Sequence, residues 1–448
     1  MKVLLAPVRS ARRTDDQGRS PLHIAVTWVV TLMLVVLVSV AGYAGFVALQ
    51  RERPVTLPVP MGPYHVGRAT FDWTDHSRVD PVAARPGHRR ELSVWLWYPT
   101  APDSAGLPAP YAPGAWRQLH VSGPAGLFEG SFAAVRDHAL NRPPPAPGRF
   151  PVVMLEPGLG FAAPQYTALA EDLASHGYLV AGVTPTYSAN LSVLHDHAIS
   201  ATAAGNPANL GSHLGQAGAE ADRLLKLWAE DAHFVATTVA GLDRAGPFAG
   251  RVQHDQLAYI GHSFGGAAAL QACHTDPRCR GAVDLDGTQF GTVVQAGLHA
   301  PLLILGSEGS CVTGTCRVRT ADDQADRNAA QSLLAASSGP SWCYQINGAQ
   351  HFNFTDDAVL YLAPPLRSLY ALGPIDGDRG LQVQTAYVVA FLDQNLRQTP
   401  QPLLSGHDRR YPEAVRTGQE PDLCDDLTGS GPAEKQPEQV RTPTAGSG

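Results

Sequence analysis

Charge is what this sequence has least of. Asp, Glu, Lys and Arg make up 16% of its 448 residues, against roughly 25% in ordinary soluble domains. The formal net charge is −7 and no long run of basic residues occurs, which excludes the electrostatic footprint of a nucleic-acid binder. The six cysteines include no C-x-x-C pair, so the usual zinc frameworks are missing. Glycine (44) and proline (37) are plentiful but follow no G-x-y period, which excludes a collagen-like fibre. No internal repeat is present. A disordered chain is excluded as well, because 44% of the residues are hydrophobic. A globular chain with a sizeable core remains. At about 150 residues per domain its length allows three units, but an α/β fold runs past 250 residues as one.

The few charges are unevenly spread. Residues 1–22 carry five basic and two acidic side chains, a net +3, and no further charged residue appears before Arg51. Within that gap Ile24 to Leu49 forms 26 residues of almost unbroken apolar sequence. About 20 helical residues span a bilayer, so a transmembrane helix is expected over 23–50, with 1–22 as a cytoplasmic basic segment. Apolar character on every face argues against a buried core helix. An uncleaved anchor is favoured over a cleaved secretory signal, because Gly42-Tyr43-Ala44 is a mediocre cleavage site. Either way the rest of the chain is expected outside the cytoplasm, where thiols oxidise. The six cysteines fit that compartment: Cys273 with Cys279 and Cys311 with Cys316 are close enough to staple local loops, which leaves Cys343 with Cys424.

Past a Pro-rich stretch at 50–62, two strands are expected, Tyr64–Trp73 and Glu91–Tyr98. Residues 101–149, rich in Pro, Gly and Ala, read as an irregular surface excursion. Short apolar runs then alternate with helical patterns. The runs are Pro151–Leu155, Tyr178–Val183, Gln256–Ile260, Gly281–Leu285, Pro301–Leu305 and Cys343–Ile346. The helical patterns are Tyr166–Ser175, Ala219–Leu242, Gly265–Cys273 and Ala321–Ala336, and Val383–Leu396 closes the body. This alternation predicts an α/β fold, a mostly parallel sheet with helices on both faces, over 51–398. The tail, 399–448, reads as mostly disordered apart from a Cys424 tether.

Function in such a sheet sits at the carboxyl ends of the strands. The third core run leads directly into Gly261-His262-Ser263-Phe264-Gly265-Gly266, and AAALQAC leads out as a helix. G-x-S-x-G is weak alone, but strand–turn–helix is the context of a nucleophile elbow, in which glycines leave room for a sharp turn. A serine needs a base, and the base needs a carboxylate to orient it, in the chain order Ser, acid, His. His351, in the loop after the run from Cys343, has that order and position. Two acids fit: Asp286, ending the run GAVDLD, and Glu308, after the next run; Asp284 shares a strand face with Asp286 but lies deeper.

GHSFGGAAAL, the strand ending in LDG, GAQHFNFTD, and FPVVMLEPGLG followed by DLASHGYLVAGV resemble the plasma-type platelet-activating-factor acetylhydrolases over roughly Gly62 to Asp356. The resemblance implies an α/β-hydrolase with Ser263 as nucleophile, Asp286 as acid and His351 as base. It also implies an oxyanion hole made by the backbone N–H groups of Leu159 and Phe264. The sequence departs from that pattern at Pro157, where the family has a histidine, preceded here by Glu156. The implied activity is hydrolysis of short-acyl lipid or phospholipid esters beside a membrane, with no cofactor and no metal. A cutinase-like polyester hydrolase and a non-catalytic hydrolase-fold surface protein are the alternatives. His195-Asp196-His197 has metal-ligand residue types but reads as a solvated loop, within a segment, Ser192–Asn209, that also fits part of a lid. Trp95 and Trp97, alternating with Val94 and Leu96, read as packing rather than as a substrate platform.

Overall fold

The structure, a computed structural model, describes residues 21–51, 53–101, 103–120, 130–208, 210, 218–362, 367–406 and 408–417. It divides into two units, Met1–Glu52 and Arg53–Gly448. In the first, α1 (Pro21–Arg51) is a single helix of 31 residues, about 46 Å long at 1.5 Å per residue. Its span Ile24–Arg51 has a mean hydropathy of 2.7, so by length and composition it suffices to cross a bilayer. Most of the basic flank lies outside the described residues.

The second unit is built on one ten-stranded sheet. Its early strands are β2 (His65–Val79), β3 (Arg89–Thr100), β5 (Leu140–Asn141), β6 (Phe150–Glu156) and β7 (Leu179–Thr184). The later ones are β10 (Val252–His262), β11 (Cys279–Leu285), β12 (Leu302–Ser307), β13 (Ser341–Ile346) and β14 (Ala414–Arg416). The spatial order is β14-β13-β12-β11-β10-β6-β7-β3-β2-β5. The six central strands, β13 to β7, are mutually parallel, and they are the six apolar runs expected from the sequence. β3 and β14 pair antiparallel with the two ends of that block. Two small pairs lie apart, β1 (Val55–Thr56) with β4 (Val135–Arg136) and the hairpin β8 (Leu191–Leu194) with β9 (His197–Ser200).

Side chains alternate across the sheet because successive Cβ atoms point to opposite faces. On one face Val153, Leu155, Ile260, Leu303 and Tyr344 pack with α2 (Thr167–Ser175) and with the last helix, α7 (Gly377–Leu396). On the other, Val152, Met154, Tyr259, Ala282 and Ile304 pack with α3 (Gly218–Gly241), α4 (Phe264–Thr275) and α6 (Ala321–Ala336). A short helix, α5 (Thr292–Ala296), lies between α4 and α6 in the chain. Chain order reverses at β6: the chain goes on to β7 on one side and then returns to β10 on the other. This is the switch point at which open α/β sheets form a crevice.

Several expectations are corrected. The stretch from 101 to 149 is irregular but not superficial, since Tyr111, Trp116 and Phe132 enter the core. β2 runs six residues beyond Trp73 because its partner β3 continues the ladder. α7 starts at Gly377, six residues early, where the Asp376 side chain accepts from the N–H of Arg379 and caps it. Order continues past 399: residues 414–416 add an edge strand to β13. The segment containing His195 and Asp196 is a hairpin, not an open loop. Those two residues form its turn with φ of 51° and 61°, the positive values a tight two-residue hairpin turn requires. His195 Nε2 lies 2.6 Å from Glu91 Oε1, and Asp196 Oδ1 accepts from the N–H of Ala115 at 2.9 Å. Trp95 and Trp97 are fully buried packing residues, the first edge-on to Trp116. Disulfides join Cys273 to Cys279 and Cys311 to Cys316. Cys343 is disulfide-bonded as well; its expected partner, Cys424, lies outside the described residues.

Candidate active site

β6 and β10 are neighbours at the switch point, and the loops leaving their carboxyl ends meet. β10 ends at His262 and α4 begins at Phe264, so Ser263 alone makes the turn, with φ 56° and ψ −125°. Such a backbone is strained for a residue with a side chain. It is reached because the flanking glycines let main chains touch. A Cβ on Gly261 would lie 1.9 Å from the carbonyl oxygen of Gly265, and one on Gly265 would lie 2.2 Å from that of Pro157. Phe264 is the first residue of α4, so its N–H has no intrahelical acceptor. The chain leaving β6 at Gly158 and Leu159 runs beside it: a Cβ on Gly158 would sit 3.3 Å from Ser263 Cβ.

The three candidate side chains come together although they lie on three separate loops. Ser263 Oγ is 2.9 Å from His351 Nε2, and His351 Nδ1 is 2.8 Å from Asp286 Oδ2. A carboxylate only accepts, so Nδ1 carries the ring proton and Nε2 faces the serine with its lone pair. Asp286 follows β11 in a left-handed turn, φ 53°. Its other oxygen accepts from the N–H of Ser307 at 2.8 Å. Burial pushes this carboxyl up, but the hydrogen bond and charge of His351, with the Ser307 N–H, outweigh burial and hold it below the usual aspartate range.

The other acids do different work. Glu308 is exposed and accepts from the N–H of Gly348 at 2.7 Å, steadying the loop that leads to His351 without reaching the ring. Asp284 is buried; it accepts from the N–H of Gly287 at 2.9 Å and from Gln289 Nε2 at 2.6 Å, bracing the turn that carries Asp286. Tyr166 and His262 were not singled out in the sequence, although both enter the site. His262 was hidden as an arbitrary letter of G-x-S-x-G and Tyr166 as the first residue of a helical pattern. His262 Nε2 lies 3.0 Å from the carbonyl oxygen of His351, and its Nδ1 lies 2.8 Å from Tyr166 Oη. An aromatic stack runs past His351: Phe161 on Phe352 at 5.3 Å and Phe352 on Tyr370 at 4.5 Å between centroids.

Residues 242–402 match the family described as platelet-activating factor acetylhydrolase, isoform II. That span includes Ser263, Asp286 and His351 but not Leu159. The chain is 28% identical over 273 residues to a platelet-activating factor acetylhydrolase of Bos taurus, covering 56% of this chain and 60% of that one. With the Cavia porcellus protein of the same name it shares 27% over 277 residues, 56% of this chain and 61% of that one. These alignments therefore span less than two thirds of the mammalian relatives. A probable 1-alkyl-2-acetylglycerophosphocholine esterase of Arthroderma benhamiae is 23% identical over 395 residues, 80% of this chain and 93% of that one. Among solved structures, a ferulic acid esterase from Streptomyces cinnamoneus superposes with a TM-score of 0.64 at 28% identity, covering 82% of this chain and 100% of that one. On these similarities, the chain resembles the platelet-activating factor acetylhydrolases, and its fold is that of the α/β-hydrolases.

Proposed function

We propose that the chain is a serine carboxylic-ester hydrolase acting on short-acyl lipid or phospholipid esters through a covalent acyl-enzyme. The hydrogen-bonded series Ser263–His351–Asp286 at the sheet's switch point carries this reading. Ser263 Oγ attacks the ester carbonyl as its proton passes to His351 Nε2. The carbonyl oxygen becomes an oxyanion, held by the N–H groups of Leu159 and Phe264. His351 returns the proton to the leaving alcohol as the ester C–O bond breaks. Water then attacks the acyl carbon as one of its protons passes to His351; the bond to Ser263 Oγ breaks, His351 returns the proton to that oxygen, and the carboxylic acid leaves. Ionised Asp286 keeps the tautomer correct and stabilises the imidazolium. The residues supply base, acid and oxyanion donors, so the steps need neither metal nor cofactor.

We take α1 as a tether that holds the hydrolase outside the cytoplasm next to lipid, a placement that suits the disulfides. Retention of the protein in membranes washed at alkaline pH tests this against a cleaved signal, which would leave it soluble. Ser263→Ala tests the chemistry. It should fold normally, lose labelling by a fluorophosphonate, and lose at least ~10³-fold in turnover of p-nitrophenyl acetate. Near-parental turnover would end the assignment. The stack of Phe161, Phe352 and Tyr370, with the similarity to a ferulic acid esterase, favours a second reading in which the acyl group is aromatic. Faster turnover of methyl ferulate than of a short-acyl phospholipid would select it.

A further inference from the structure

The base of this site stands on a loop and its side chain is 33% exposed. Among the described residues its ring has two hydrogen-bonded anchors, Ser263 and Asp286. Something must fix the backbone beneath it, because displacements of about 1 Å in such sites cost on the order of 10²-fold in rate. A buried chain of hydrogen bonds supplies that hold, and the polarity of every link is forced by chemistry. The carbonyl of His351 can only accept, so His262 Nε2 is the donor across their 3.0 Å contact. His262 is buried, and burial together with His351 lowers its pKa well below the usual range, so the ring is neutral. Its Nδ1 then carries a lone pair and must accept from the Tyr166 hydroxyl at 2.8 Å. That hydroxyl in turn accepts from the N–H of Gly158 at 2.9 Å. Gly158 packs closely on both groups, since a Cβ there would be 3.1 Å from His262 Nδ1 and 3.4 Å from Tyr166 Oη. Phe354, stacked at 6.2 Å, and Phe161, edge-on at 6.3 Å, flank the imidazole.

The chain therefore begins next to Leu159, passes through the residue that precedes Ser263, and ends on the backbone of His351. We infer that Tyr166 and His262 are positioning residues that lock the oxyanion loop and the base-bearing loop to the nucleophile turn. This rests on Ser263 and His351 acting as proposed above. Neither residue touches substrate, and each acts only through the group it holds. Because the links run in series, removing either residue breaks the connection between the two loops.

The test uses the full chain and p-nitrophenyl acetate, with fluorophosphonate labelling to read attack by Ser263 apart from turnover. All assays are run well below each variant's melting temperature. Tyr166→Phe deletes one oxygen. It should lower kcat and the labelling rate together by about tenfold, with KM within about twofold of the parent. His262→Phe should lower both by about 10²-fold. His262→Gln can still place an N–H near the Nε2 position and should recover part of that loss. The double variant Tyr166→Phe/His262→Phe should lose little more than His262→Phe alone, because both act in one chain of bonds. The inference is overturned if Tyr166→Phe keeps parental kcat and labelling rate, or if His262→Phe is as active as His262→Gln. Ser263→Ala, run alongside, separates the two levels: full activity there sinks the serine-hydrolase reading itself, whereas an inactive Ser263→Ala beside a fully active Tyr166→Phe sinks only the lock.

Discussion

The turn after β11 and the loop after β12 lie side by side at one end of the sheet, and each carries a carboxylate. Asp286 is buried, bent into a left-handed turn, and pointed at the His351 ring. Glu308 is exposed and holds the backbone N–H of Gly348, three positions before His351. A third carboxylate, Glu156, ends β6; it is fully buried, and neither of its oxygens has a hydrogen-bond partner among the described residues. Burial pushes Glu156 well above the usual range, Asp231 adds to the rise, and Arg90 only partly opposes it. The same functional group is thus held ionised beside a histidine in one place, solvated in another and driven towards its neutral form in a third. Position at a strand end does not decide the role; the neighbouring donors do.

The largest effect that could break this comparison is at Asp286. Asp286→Asn should keep the His351 ring near its place yet favour the wrong tautomer, lowering kcat by about 10⁴-fold on a p-nitrophenyl ester. A larger loss in Glu308→Gln would reverse the two roles. The acid limb of stability sharpens the contrast. With a depressed folded pKa, Asp286 stabilises the fold above about pH 4 and loses that contribution as pH falls below it. Melting curves of Asp286→Asn should therefore lack that part of the acid destabilisation.

Glu156 should show the opposite sign. A carboxyl whose folded pKa is raised contributes stability that is complete below about pH 4.3 and declines as pH rises towards the folded value. Glu156→Gln has no such term. Its melting temperature should gain on the parent as pH rises above about 4.5, at up to about 1.4 kcal/mol per pH unit. A gap that stays constant from pH 4 to 8 would mean that Glu156 is ionised in the fold, as Asp286 is. The smallest effect belongs to Glu308→Gln. An exposed acceptor is lost but an amide oxygen can replace it, so stability should move by only about 0.5 kcal/mol and turnover by less than about threefold.

The central sheet was legible in the sequence because parallel strands buried on both faces read as short apolar runs between Gly- and Pro-rich breaks. All six runs became strands. The nucleophile turn was legible for a related reason: its glycines are demanded locally, by contacts within a few residues. Which carboxylate faces His351 was not legible at that level. Spacing left Asp286 and Glu308 close together, and family resemblance separated them, because what distinguishes them is a left-handed turn and the N–H of Ser307, twenty-one positions away. Tyr166 and His262 were missed because their bond joins residues ninety-six apart, a distance no periodicity records. The hairpin at Leu191–Ser200 was read as a loop because its turn residues, His195 and Asp196, lack the glycine that usually marks such a turn.

The last strand has a consequence for how the protein behaves in bulk. β14 pairs with Tyr344, Gln345 and Ile346, and the adjoining Asn347 N–H and Cys343 carbonyl are taken by Glu413 and Thr417. Without residues 413–417, the outer rim of β13 would offer unpaired donors and acceptors along Trp342–Ile346, a segment with no charge and no proline. Such a rim is a template on which another copy can add a strand. These few residues thus act as a seal against self-association. A shortened protein ending before 413 would keep Ser263, Asp286 and His351 and yet be expected to precipitate.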